Sequence, residues 1–157
     1  MKILIAFYSK TGKTRKLAEN LAKSLGADID EIIDQKDRGG IKGWLLSGRD
    51  GMKGFLTEIK TNKNPGKYDL VIVGTPIWAW NSTPAVRAYV TKFKKEIKNL
   101  AVFVTADSSK PEKTVASLEK IWGKKVGVYD GWVSGDFENS EKCMEKTIRF
   151  LERIKLK

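Results

Sequence analysis

The stretch "ILIAFYSKTGKT" (Ile3–Thr14) joins a continuous apolar run to a loop rich in hydroxyl groups. The run Ile3–Phe7 contains no polar residue, which is typical of a strand buried on both faces of a parallel sheet. After the loop, leucines recur at positions 17, 21 and 25, and Gly26 follows the last of them. This spacing predicts an amphipathic helix that ends at the glycine. The stretch therefore predicts a strand, a loop at the edge of a sheet, and a helix.

The end of this loop resembles a triphosphate-binding loop, whose pattern is G-x-x-x-x-G-K-[ST]. Gly12, Lys13 and Thr14 fit that pattern, but its first glycine would fall on Phe7. The next apolar run carries Asp69 at its start, whereas a magnesium-binding carboxylate would follow the end of the strand. The loop is therefore not interpreted as a site for ATP or GTP.

The segment "SKTGKT" (Ser9–Thr14) is instead suited to a single monoester phosphate. Ser9, Thr11 and Thr14 supply hydroxyl donors, and Gly12 permits a tight turn that directs successive N–H groups toward an anion. The helix predicted to start at Thr14 favours an anion at its N-terminus. Loops of this composition also cap helices without any ligand, so this alternative stays open.

Apolar runs and helical patterns alternate along the whole chain. Strands are predicted at Ile3–Phe7, Asp28–Asp34, Asp69–Gly74, Leu100–Thr105 and near Val126–Val133. Helices are predicted from Thr14, from Pro84, from Pro111 and over Ser140–Ile154, the last with Thr147, Ile148, Leu151 and Ile154 facing inward. The alternation predicts a single α/β domain over residues 1–157, a three-layer sandwich around a five-stranded parallel sheet.

One segment does not fit this pattern. Gly39–Gly54 contains six glycines, which disfavour a helix. It is predicted either to pack with Trp44, Leu45 and Leu46 inward or to form a mobile flap. The sequence does not choose between these two possibilities.

Composition limits the chemistry that the side chains can perform. The chain has no histidine and one cysteine, Cys143, which excludes Ser–His–Asp and Cys–His catalysis, an internal disulfide and a thiolate metal cluster. We therefore expect no catalytic side chain and no metal; any reactive group would come from a bound cofactor. The N-terminal apolar run is too short for a secretory signal, so none is expected, and no apolar run approaches the ~20 residues that span a bilayer. A cytoplasmic protein without membrane association is expected.

The net charge of +11 implies a basic surface. The lysines are spread from Lys2 to Lys157, and no nucleic-acid-binding module is recognisable. We therefore expect partner proteins with acidic surfaces rather than a nucleic acid.

A second loop places tryptophans after a predicted strand. In "VGTPIWAWNSTPAV" (Val73–Val86), Trp78 and Trp80 lie just beyond the strand. Aromatic rings at a loop tip favour a flat ligand that stacks on them, although packing under the loop is the alternative. A phosphate site and indoles at one edge indicate a ligand with a phosphate at one end and an aromatic ring at the other.

Taken together, these motifs resemble those of the flavodoxin-like family over the whole chain. The matching features are the loop Ser9–Thr14, the Gly-Thr-Pro-Ile-Trp turn at residues 74–78, and "FVTADSS" at Phe103–Ser109. The resemblance implies an FMN cofactor, the strand order 2-1-3-4-5 and the short-chain form of the fold. It implies phosphate contacts from Ser9, Lys10, Thr11, Gly12, Lys13 and Thr14. It implies contacts to the flavin ring or ribityl chain from Thr75, Pro76, Ile77, Trp78, Ala79 and Trp80, and on the other side from Thr105, Ala106, Asp107 and Ser108. Asp107 has an alternative role as a cap for the helix that begins at Pro111.

The chain also departs from the family. Flavodoxins are usually acidic, many have a glycine in the second loop, and many stack an aromatic residue from the third loop. Here "IWAWN" (residues 77–81) has no glycine and "ADSSK" (residues 106–110) has no aromatic residue. The one-electron state of a bound flavin is therefore expected to be less favoured. The resemblance predicts an electron carrier that exchanges electrons with redox partner proteins. An NAD(P)H-dependent FMN or quinone reductase is the alternative, and a flavin-free interaction module is a third possibility.

Overall fold

The computed structural model describes residues 1–35, 57–108 and 110–156. The five strands of the parallel sheet are β1 (Ile3–Phe7), β2 (Asp28–Glu31), β3 (Leu70–Trp78), β4 (Leu100–Ala106) and β5 (Val128–Val133). Their order across the sheet is β2-β1-β3-β4-β5. This order confirms the fold that the sequence predicted. The prediction for Gly39–Gly54 falls outside the described residues.

Helices cover both faces of the sheet. They are α1 (Lys13–Leu25), α2 (Pro84–Phe93), α3 (Glu112–Trp122), α4 (Ser134–Glu138) and α5 (Ser140–Lys155). Side chains of α2 and α3 form one buried cluster with the sheet, and side chains of α1 and α5 form a second. The predicted helices begin within one residue of their predicted starts, α1 at Lys13 and α3 at Glu112. Thr83 accepts a hydrogen bond from the Val86 amide before Pro84, and Gly26 is left-handed after α1. The three-layer arrangement is confirmed.

The first parts of the central strands, Leu70–Gly74 in β3 and Leu100–Val104 in β4, are apolar because both of their faces are covered. In β3, Val71 and Val73 pack into the α2–α3 cluster, whereas Leu70 and Ile72 pack into the α1–α5 cluster. Gly74 follows in the same strand and packs against the ring of Phe103 in β4. A Cβ atom at Gly74 would lie 2.2 Å from Cζ of Phe103, so only glycine fits there without a shift.

Two predicted strands have different boundaries in the structure. The strand predicted over Asp28–Asp34 ends at Glu31, because Ile32 turns into the core and is 1% exposed. The next two residues, 33 and 34, pair in antiparallel fashion with Ile59–Lys60 instead. The strand predicted over Asp69–Gly74 runs on to Trp78 and folds back as a hairpin onto Asn81–Ser82.

The prediction of which residues of the last helix face inward was partly wrong. Ile154 is buried and Leu151 is half-buried, but Ile148 is 50% exposed. Phe150 faces the core instead, where its ring meets Trp132 edge-on at 5.6 Å. The short helix α4 was not predicted. None of the helices in the described ranges is long and apolar enough to cross a membrane.

Candidate functional site

The predicted site lies at the edge of the sheet where the parallel strands end, here called the carboxyl edge. β1 ends at Phe7 beside Gly74 of β3, which runs four residues further, and the ends of β4 and β5 are neighbours through Ala106–Val133. Pro76 is the register partner of Thr105. The topology therefore brings together the loops that the sequence singled out, as expected for a parallel α/β sheet.

The first loop leaves two backbone amides of α1 open to an anion. Gly12 has a φ of +92° and is the N-cap of α1. The hydroxyl oxygen of Ser9 accepts hydrogen bonds from the amides of Gly12 (3.1 Å) and Arg15 (3.3 Å). The first bond within the helix runs from Lys16 N to Gly12 O, so the amides of Lys13 and Thr14 have no acceptor among the described residues. Two N–H groups at a helix N-terminus form an anion-binding position.

A buried pair of hydroxyl groups connects the first loop to the third. The Oγ1 atoms of Thr14 and Thr105 lie 2.8 Å apart, and both residues are almost completely buried. Either hydroxyl can donate to the other, so one of the two keeps an O–H that can donate to a ligand. The contact also fixes the start of α1 against the end of β4.

A polar cluster closes the outer side of this edge. Lys13 Nζ donates to Ser134 Oγ at 3.0 Å and lies 3.8 Å from Asp107 Oδ1, and Ser134 Oγ donates to the same carboxylate at 2.9 Å. Asp107 therefore bonds to the start of α4 and does not cap α3, whose N-cap position is Pro111 with no side-chain bond. Ser134 was not predicted as a site residue, although it directly follows the end of β5.

The second loop is a β-hairpin with a strained turn. Trp78 pairs with Asn81, so only Ala79 and Trp80 connect the two strands. Their φ values are +47° and +62°, the left-handed combination of a type I′ turn, which normally selects asparagine and glycine. Left-handed backbone costs an L-residue about 1–2 kcal/mol. The chain thus adopts a glycine-type turn without a glycine.

The two indoles of the hairpin have different surroundings. Trp78 is half-buried; Tyr8 meets its ring edge-on at 5.5 Å, and Lys10 Nζ lies 5.6 Å from its centre. Trp80 is 66% exposed. Trp78 therefore supports the hairpin, and Trp80 presents the open aromatic surface.

The remaining predicted residues differ in how accessible they are. Thr75 is fully buried, and its hydroxyl donates to Pro76 O and accepts from Thr83 N, so this side chain closes the hairpin instead of facing the edge. Ile77 packs against the core below α2. Exposed positions are Lys10, Thr11, Lys13, Asp107 and Ser108, and partly exposed positions are Ser9, Gly12, Pro76, Ala79 and Ala106. The described ranges hold no group of three or more acidic or cysteine side chains that could bind a metal.

An ion pair anchors the start of α1 to β2. The guanidinium of Arg15 donates to both carboxylate oxygens of Glu31, at 2.6 and 2.7 Å. The hydrogen bonds to Glu31 and the attraction of its negative charge raise the pKa of Arg15 above its usual value. Arg15 is therefore occupied by a carboxylate, and the other two cations of this segment are Lys10 and Lys13.

Comparison with known proteins supports the fold. No protein-family model and no curated protein sequence matches the chain. A flavoprotein from Lactobacillus acidophilus NCFM, solved in complex with FMN, is similar with a TM-score of 0.72 and 21% identity over 87% of this chain and 96% of that chain. Flavodoxin 1 from Bacillus cereus is similar at 0.52 and 21%, over 97% and 98% of the two chains. An NADH:FMN oxidoreductase is similar at 0.59 and 17%, over 99% and 89%. The chain has the flavodoxin-like fold.

Proposed function

We propose that this chain, with its flavodoxin-like fold, binds FMN at the carboxyl edge and carries electrons between redox partner proteins. The observation that carries the proposal is the pair of open amides at Lys13 and Thr14, on the same edge as the exposed indole of Trp80. Support comes from the similar Lactobacillus protein, whose structure contains FMN. The proposal combines a phosphate position and an aromatic surface on one rigid edge.

The first loop fits a phosphate monoester. The left-handed Gly12 turns the chain so that the amides of Lys13 and Thr14 precede the first helical hydrogen bond. The dipole of α1 and the hydroxyl of Thr11 add to the attraction for an anion. Ser9 already accepts two amide bonds, so its own O–H remains to donate.

The hairpin and the third loop fit a flat ring. Trp80 offers an open face beside the edge, and Ala106, Asp107 and Ser108 border the edge from β4. Base–aromatic stacking contributes about 1–3 kcal/mol per ring by alanine substitution. Trp78 contributes by holding the hairpin in place rather than by direct stacking.

The residues of this edge would favour the fully reduced cofactor. FMN supplies the redox chemistry when bound, and the protein holds it and sets the charge around it. Lys10 stays near the hairpin, while part of the charge of Lys13 is offset by Asp107. Positive charge stabilises the negative charge that reduction adds. We expect a second one-electron potential less negative than in an acidic flavodoxin, and partner association that weakens as salt is added.

A reductase is the second candidate function. The Ala79–Trp80 turn lacks the glycine that many one-electron carriers have, and an NADH:FMN oxidoreductase shares the fold. A quinone reductase must also deliver protons, however, and Asp107, a carboxylate of the described loops, is already bonded to Ser134. Steady NADPH oxidation by the pure protein with a quinone would assign the reductase. Turnover that requires an added reductase would assign the carrier.

Binding itself is tested with two ligands that differ only in the phosphate. The protein, stripped of flavin, is titrated with FMN and with riboflavin, and quenching of flavin fluorescence gives each Kd. Two charge-assisted hydrogen bonds of about 1.5–3 kcal/mol each predict at least about a hundredfold preference for FMN. Equal affinity for both ligands would refute the phosphate site, and no binding of either would refute the function.

A further inference from the structure

The opposite edge of the sheet, where the parallel strands begin, carries a cavity that the proposed function does not use. This amino edge holds a cavity of about 170 Å³. Its apolar lining comes from Leu70, Leu100, Trp122, Val128 and Ile154, and Asn99 and Lys125 also line it. Cofactor and drug pockets are usually about 300–1,000 Å³. The cavity is therefore sized for one apolar side chain rather than for a cofactor.

Four exposed lysines lie in the two turns that lead into the lining residues Asn99 and Lys125, although none of the four lines the cavity itself. Lys94, Lys95 and Lys98 lie between α2 and β4, and Lys124 lies between α3 and β5 with its Nζ 5.3 Å from the centre of the Trp122 ring. Among the described residues, these four have no carboxylate within ion-pairing distance. They outnumber the one acid among them, the exposed Glu96 between Lys95 and Lys98, and form a positive rim, here called the lysine rim.

Two other nearby carboxylates are already engaged. Asp69 accepts a hydrogen bond from the backbone amide of Lys2 at 2.7 Å. Glu119 accepts from Lys125 and from the amide of Val126, both at 2.9 Å. These acids therefore cannot fold over to neutralise the lysine rim without losing existing bonds.

We propose that the amino edge is a docking surface for an acidic protein segment that inserts one apolar side chain into the cavity. An apolar centre with a charged rim is the usual anatomy of a protein interface. The rim consists of lysines, which attract acidic side chains without the bidentate geometry by which arginine reads phosphates. A partner held here leaves the carboxyl edge open, so docking and electron exchange would use opposite edges of the sheet.

The test uses a defined peptide and the complete chain. An acetylated peptide with three acidic residues on each side of a central phenylalanine is titrated into ¹⁵N-labelled protein, with and without FMN. We expect amide shifts at Leu70, Leu100 and Gly127 in both cases, and weaker binding at higher salt. A peptide with serine in place of the phenylalanine should bind about tenfold more weakly or worse, because it leaves the cavity empty.

Paired charge reversals separate this surface from general electrostatics. Lys95→Glu with Lys98→Glu should weaken the phenylalanine peptide about tenfold. Lys60→Glu with Lys113→Glu makes the same charge change at exposed sites elsewhere and should have a clearly smaller effect. Circular dichroism checks that both variants fold.

Four outcomes would overturn the proposal. They are equal losses in the two double variants, no preference for phenylalanine, no amide shift at the amino edge with millimolar peptide, and shifts confined to the carboxyl edge. Vesicles containing phosphatidylserine and a DNA duplex are titrated in parallel. If either binds the amino edge more tightly than the peptide does, the partner class is wrong. Because the peptide is tested without FMN as well, the result does not depend on flavin binding.

Discussion

Replacing Trp80 by glycine should stabilise the flavin-free protein and weaken its binding of FMN. Trp80 occupies the second position of the two-residue turn, with a φ of +62°. Its ring is 66% exposed, so little burial is lost when the ring is removed. The backbone strain is relieved in the glycine variant, whereas the stacking surface is lost.

The magnitude follows from two opposing effects on the free energy of unfolding. A left-handed L-residue costs about 1–2 kcal/mol, and glycine relieves that cost. Glycine also has greater conformational freedom in the unfolded chain, and this reduces the gain in unfolding free energy by about 0.5–1 kcal/mol. Trp80→Ala is the matched control, since it removes the same ring but keeps the strain. The glycine variant should therefore exceed the alanine variant by about 1 kcal/mol, or 2–4 °C in Tm.

Both variants should bind FMN more weakly than the parent protein, and to a similar extent. Loss of one stacking ring at about 1–3 kcal/mol corresponds to roughly 5- to 150-fold in Kd. Thermal unfolding followed by circular dichroism gives the Tm of each flavin-free protein, and fluorescence titration gives the Kd for FMN. A glycine variant no more stable than the alanine variant would refute the strained turn. Unchanged FMN affinity in both would show that Trp80 does not stack on the ring.

Three further predictions concern the core, the last helices and the first loop. Gly74→Ala should destabilise the fold by about 1–3 kcal/mol, because its Cβ would lie 2.2 Å from the Phe103 ring, and a Tm within 1 °C or so of the parent would contradict this. Burial alone would raise the pKa of Asp136, but hydrogen bonds from nearby lysines such as Lys146 and from a backbone amide lower it to about 2. The stability that Asp136 contributes is therefore present above its unfolded pKa near 4 and is lost as pH falls toward 2, so Asp136→Asn should flatten urea-unfolding stability over that range. Gly12→Ala should weaken FMN at least about fivefold while riboflavin affinity changes little, because alanine is strained at a φ of +92°; equal losses for both ligands would point to a general distortion.

The sheet could be predicted because its local signals agree with its tertiary structure. Ile3–Phe7 is apolar in every position and lies between two covered faces, so pattern and burial coincide. Pro84 and Gly26 mark helix ends through backbone chemistry that does not depend on distant residues. The second strand was predicted too long because Asp28–Asp34 alternates smoothly. The break at Ile32 depends on where β1 ends, since the amide of Ile32 donates a hydrogen bond to the carbonyl of Phe7, the last residue of β1.

The site was less predictable where geometry opposes propensity. Nothing in Ala79 and Trp80 indicates a type I′ turn, since both residues disfavour positive φ. The contact from Lys13 to Ser134 joins positions 121 residues apart, and only the strand order brings them together. In the last helix, Phe150 and not Ile148 faces the core, because the large ring packs against Trp132. Local patterns identify which loops form the edge, but not which of their side chains face a ligand and which hold the loops in place.

The most direct test of the central claim follows the backbone amides of Lys13 and Thr14 by ¹⁵N NMR during flavin titration. These N–H groups have no acceptor among the described residues of the flavin-free chain, so a bound phosphate should move both proton resonances strongly downfield. Riboflavin, which has no phosphate, should leave them nearly unchanged while it shifts the Trp80 indole. If FMN binds and the two amide resonances do not move, the first loop is not the phosphate site.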